Sequence, residues 1–177
     1  EVPGLKEMVN KITTSKGGVM SFGSGNINLN PYYFSDNNRL SDACERMSKN
    51  HFWSRNTTPA GIGAHESAHA VESLLIQKNK EYEYDWQRVD VWNKCTEAKK
   101  IVSQACKNVK KTPYGKGKRN ADLIGDISKY ANENASEAMA EAFADIYDNG
   151  ESARPLSFEI KRLTKEQLIT YERSETE

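Results

Sequence analysis

The chain has 177 residues, with 25 Lys and Arg against 25 Asp and Glu, so its formal net charge is zero. That balance excludes a uniformly basic nucleic-acid binder and an acidic solubility tail. The length suits one domain, and no run approaches the roughly 18 apolar residues that a membrane-spanning helix needs.

The chain begins at Glu1 without a basic and then apolar leader. It therefore reads as a single domain, 1–177, excised from a longer protein, and as cytoplasmic or virion-associated rather than secreted. Three cysteines, Cys44, Cys95 and Cys106, show no close-pair spacing. They argue against a disulfide framework and against a Cys-rich zinc site.

Leu5, Met8, Val9 and Ile12 recur at helical spacing and predict a helix over 5–14. Glycines then break the chain. The stretches 19–22 and 26–34 read as short strands, expected to form a hairpin, with Pro31 ending the second or placing it at an edge. A short helix is predicted over 40–50 and a further strand over 51–57. Thr57 or Thr58 before Pro59 marks a helix start, and apolar spacing carries that helix through 60–79. One long amphipathic helix is predicted over 86–109, with Val89, Trp92, Ala98, Ile101, Val102, Ala105 and Val109 as its core stripe. A basic loop over 110–120 follows. Helices are predicted over 121–131 and 135–149, the latter stopped at Asn149-Gly150, and a last one over 155–173. The pattern is α+β, mostly α, with a small N-terminal sheet.

His65-Glu66-Ser67-Ala68-His69 is an H-E-x-x-H motif within the 60–79 helix. Four residues advance a helix by about 400°, so His65 and His69 lie within about 40° of each other, one turn apart. Two imidazoles so placed can reach one zinc ion, and Glu66, beside it, can act as general base toward a water. Zinc needs a third protein ligand. The extended metzincin motif would place Gly at 72 and His at 75, where this chain has Glu72 and Leu75. No His follows His69, so the third ligand is expected to be a carboxylate on a later helix. Asn134 is a good N-cap, which makes Glu137 the N3 residue of the helix after it. Glu137 and Glu141 share a face of that helix. Its Ala138, Ala140, Ala142 and Ala144 keep it thin enough to approach the H-E-x-x-H helix. Two carboxylates buried on such a face need a cation to offset their burial.

Together, HESAH and the later Tyr130-x6-Glu137-x3-Glu141-Ala142-Phe143 resemble the gluzincin metallopeptidases related to the catalytic domain of anthrax lethal factor. Related zincin-like domains occur in phage head proteins and bacterial toxins. The resemblance covers about 30 residues in two patches. It implies a zincin-like fold and zinc held by His65, His69 and Glu137. It also implies Glu66 as general base, Tyr130 as hydrogen-bond donor to a developing oxyanion, and Glu141 orienting a ligand from behind. Ala68 replaces the Gly common at the fourth position of the motif. A rival frame, 132–137, resembles the N-E-x-x-S-D pattern of thermolysin-like peptidases and would make Glu133 the ligand. Glu137 is preferred because Glu133 precedes the N-cap, whereas Glu137 and Glu141 form a pair.

The function implied is zinc-dependent peptide hydrolysis on a protein or peptide substrate. An extended substrate could add to the edge strand around 27–30. The alternatives are an assembly module of phage-head type that keeps the scaffold without turnover, and a toxin effector domain. His51 reads as a surface or strand-end histidine, and 107–119, with six basic groups and no acid, as a solvated loop. Tyr82, Tyr84, Trp86 and Trp92 read as core and interface aromatics.

Overall fold

The computed structural model of the chain describes residues 11–23 and 25–176. Three strands, β1 (Lys11–Thr14), β2 (Met20–Gly23) and β3 (Asn26–Leu29), form a sheet of order β1-β3-β2. β3 pairs antiparallel with β2, Phe22 opposite Ile27, and parallel with β1, Ile12 opposite Ile27. Helices follow: α1 (Pro31–Phe34), α2 (Asn37–Lys49), α3 (Pro59–Lys78), α4 (Asp85–Asn93), α5 (Thr96–Val109) and α6 (Asn120–Gly125). A 3-10 turn, Tyr130–Asn132, leads into α7 (Ala135–Asn149). A second, Gly150–Ser152, leads into α8 (Pro155–Thr176). The fold is α+β and mostly helical. Among the described residues no helix is long and apolar enough to cross a membrane.

Local chemistry sets the bounds of the two helices that matter most. Thr58 caps α3 by accepting the Gly61 N–H at 3.0 Å, with Pro59 in the first turn. Asn134 caps α7 by accepting the Glu137 N–H at 3.0 Å. Gly61 lets the two helices meet closely, because a Cβ there would fall 1.9 Å from Asp148 Oδ2. Asp148 in turn accepts from the Thr58 hydroxyl at 2.7 Å, locking the start of α3 to the end of α7.

The main core joins α3, α5, α6, α7 and α8 through Val71, Leu75, Ala98, Ile101, Cys106, Leu123, Met139, Leu156 and Ile160. Each fully buried large aliphatic side chain there contributes about 1.5–3 kcal/mol. A smaller cluster, Leu40, Cys44 and Ile62 with Met20, Tyr33 and Trp53, ties the sheet and α2 to the first turns of α3. The three cysteines are free.

Several expectations are corrected. Residues 5–10 of the predicted first helix lie outside the described residues, and 11–14 form a strand, with Ile12 67% exposed. The short apolar spacing fits a helix, but backbone pairing with β3 wins. Pro31 ends the second strand and starts α1. β3 is the central strand, so the strand around 27–30 is not an edge. No strand forms over 51–57; its backbone groups bond instead to side chains and to the Lys129–Tyr130 segment. The helix over 86–109 is two helices. Cys95 between them has a left-handed φ of 52°, which no periodicity signal can register. The predicted helix over 121–131 stops at Gly125. Val89, Tyr84 and Trp86 are exposed, the last two stacked on each other at 6.5 Å.

Candidate metal centre

His65 and His69 are buried one turn apart on α3, and Glu137 reaches them from the first turn of α7. The Nε2 atoms of the two histidines are 3.3 Å apart. Glu137 Oε2 lies 3.1 Å from His65 Nε2 and 3.6 Å from His69 Nε2. Such edges are those of one face of a tetrahedron whose centre is about 2 Å from each corner. Glu137 Oε2 is buried and has no hydrogen bond of good geometry.

The outer ring nitrogens fix which atoms face inward. His65 Nδ1 lies 3.0 Å from Glu141 Oε1, and a carboxylate only accepts, so Nδ1 carries the proton. The other Glu141 oxygen accepts the Ser54 N–H at 2.9 Å. His69 Nδ1 lies 3.0 Å from the hydroxyl of Ser136, which contacts Glu72 Oε2 in turn. With both protons outside, two Nε2 lone pairs and a carboxylate oxygen converge on one point. Three acceptors held together need a cation among them, either a proton or a metal.

In the metal-free chain a proton on His65 takes that place. Burial pulls this imidazole down, but the carboxylates of Glu137 and Glu141 more than offset it and hold it at about 10. Burial pushes Glu137 up, and the two imidazoles overcome this and bring it to about 2. The start of α7 also favours its charged form.

Glu66 is buried beside the cluster, its carboxylate facing the backbone N–H of Phe22; burial raises its pKa. Tyr130 stacks on His65, ring centres 5.9 Å apart, and on Phe52 at 5.2 Å. Burial, with the nearby Glu137 charge, raises its pKa. The tyrosine is held by its own backbone, since Tyr130 N–H donates to Phe52 O at 2.9 Å. His51, outside the cluster, braces the same segment: its O accepts the Lys129 N–H and its Nε2 bonds to Gly125 O, both at 2.9 Å.

Two hollows flank the cluster, and His65, Glu66 and Tyr130 line both. One, of about 460 Å³, is walled by Met20, Tyr33, Met47, Trp53 and Ile62. The other, of about 340 Å³, is walled by Phe22, His69, Trp92, Cys95 and Glu137.

The arrangement brings together His65, Glu66, His69, Tyr130, Glu137 and Glu141. Glu133 is exposed beyond the 3-10 turn and takes no part. Sequence reasoning missed Ser54, Ser136 and Glu72. Glu72 left a signal, one turn beyond His69 on the same face and destined for burial. Among protein-family models, curated proteins and solved structures, nothing matches this chain.

Proposed function

We propose that the chain is a zinc-dependent peptidase domain of zincin type, with zinc held by His65, His69 and Glu137. The observation that carries this reading is the convergence of two imidazole Nε2 atoms and Glu137 Oε2 within 4.8 Å of one another. Two neutral imidazoles with one carboxylate suit zinc better than calcium or magnesium, which prefer all-oxygen sites. Three protein ligands leave a position open for substrate or water.

A bound zinc would supply Lewis acidity, acidifying a water and polarising a carbonyl. The rest falls to the protein. Glu66 accepts the proton of the attacking water on its carboxylate and delivers it to the leaving amine nitrogen. Burial, which raises its affinity for a proton, suits that role. Tyr130 turns its hydroxyl to the developing oxyanion, a role consistent with its contact to Glu137 at the cluster's edge. An extended peptide would run along β2, whose Met20, Ser21 and Phe22 line the smaller hollow, rather than along β3.

The test is Glu66→Gln. Protein purified without chelator is expected to hold one zinc per chain in both forms, and only the wild type to cleave a peptide library. Zinc retained with no cleavage by the wild type would leave an assembly module in its place. Equal cleavage by both forms would refute Glu66 as the base.

A further inference from the structure

Glu72 is 1% exposed, and among the described residues it forms no ion pair and its Oε1 has no hydrogen bond of good geometry. A carboxylate buried that way costs stability, and an apolar residue of like volume would serve a structural role better. Its other oxygen meets the Ser136 hydroxyl, and Ser136 meets His69 Nδ1. The carboxylate also faces the backbone N–H of Ala98, in the first turn of α5. The Ser136 hydroxyl donates to Glu72 Oε2, so Glu72 is set up as an acceptor. Ser136 has one proton and gives it to Glu72, leaving its lone pairs for the His69 Nδ1 proton.

The direction of this chain decides what His69 shows to the cluster. With Glu72 as the terminal acceptor, His69 carries its proton on Nδ1 and presents a bare Nε2. Reversed, Ser136 would donate to Nδ1, and a proton would sit on Nε2 and block the convergence point.

Resting on the metal-centre reading above, we infer that Glu72 is a positioning residue, acting through Ser136 to hold His69 in its metal-binding tautomer. Glu141 does this directly for His65; the second histidine is reached by a relay across three elements, α3, α7 and the start of α5. Glu72 touches neither substrate nor metal.

The experiment measures zinc affinity by competition with a chromophoric chelator, with melting of the metal-free protein alongside. In Glu72→Gln the side-chain amide can donate to Ser136 and allow the reversed chain. Ser136→Ala removes the link. Each is expected to weaken zinc binding by about 10–100-fold, the usual scale for such outer partners. The metal-free Glu72→Gln protein is expected to melt at or above the wild-type temperature. Ser136→Thr, which keeps the hydroxyl, should restore affinity to near wild type. The double variant should bind no more weakly than the weaker single, because one chain is broken once. In the cobalt-substituted protein the visible absorption bands should shift in Glu72→Gln and stay in place in Ser136→Thr. Wild-type affinity in Glu72→Gln or Ser136→Ala would overturn the inference and leave the metal centre standing. A wild-type protein that binds no zinc would overturn the metal centre itself.

Discussion

Glu141 accepts on both of its carboxylate oxygens, one from His65 Nδ1 at 3.0 Å and one from the backbone N–H of Ser54 at 2.9 Å. One side chain on α7 thereby fixes a ring on α3 and the loop that closes over it. A glutamine at this position can accept at one oxygen only, and its NH2 must face one of the two donors. Glu141→Gln should therefore weaken zinc binding by about 10–100-fold. It should also cost about 1–3 kcal/mol of stability, because a buried donor is left unpaired. Chelator competition and urea unfolding measure the two effects; wild-type values for both would remove Glu141 from any role at the site.

Tyr130 is positioned by stacking and by its backbone rather than by its hydroxyl. The ring lies between His65 and Phe52, and the Tyr130 N–H donates to Phe52 O. Tyr130→Phe should therefore keep the ring in place and remove only the hydroxyl, the group proposed to meet the oxyanion. The expected result is a fall in kcat of about 10²–10³ with little change in KM and zinc content. A rise in KM at constant kcat would mean the hydroxyl binds substrate in its ground state instead.

What could be read from the sequence followed helical spacing. His65, Glu66 and His69 fall within one turn, and Asn134 and Glu137 form a cap of fixed local geometry, so their placement needed no tertiary knowledge. The site residues missed are those joined across long sequence separations. Ser54 meets Glu141 from a loop that reads as a strand, and Glu72 meets Ser136 across the α3–α7 interface. Neither contact has a local signature. The strand at Lys11–Thr14 and the left-handed Cys95 were illegible for a related reason. Apolar spacing reports which face is buried, not which backbone partner wins or where one residue reverses φ.

The charge arrangement predicts a loss of stability at alkaline pH that bound metal removes. In the metal-free chain the His65 imidazole is raised from an ordinary 6.5 to about 10. A raised base stabilises the fold fully below its unfolded pKa, and that contribution is lost as pH climbs toward the folded value. Glu137, lowered from 4.5 to about 2, stabilises above 4.5 and loses its contribution as pH falls toward 2. The melting temperature of the chelator-treated protein should therefore decline from about pH 6.5 up to about pH 10. With excess zinc the gap between loaded and metal-free protein should widen over that range, because metal and proton compete for His65. Calorimetry at three pH values, with and without zinc, is the measurement. A gap that narrows with rising pH would contradict the competition.

The contact between Gly61 and Asp148 makes a prediction that is independent of metal. A Cβ on residue 61 would meet Asp148 Oδ2 at 1.9 Å. Asp148 cannot swing away cheaply, because its carboxylate accepts from the Thr58 hydroxyl at 2.7 Å and from the Thr58 N–H at 3.2 Å. Gly61→Ala must either break those bonds or push α3 from α7, the pair of helices that carries both halves of the cluster. It should cost about 1–3 kcal/mol despite the higher helix propensity of alanine. In an Asp148→Ala background the obstruction is gone, so the same substitution should be near neutral or slightly stabilising. A double-mutant cycle by urea unfolding isolates this coupling. Equal costs in both backgrounds would show that the tight approach at Gly61 is not what holds the start of α3 against the end of α7.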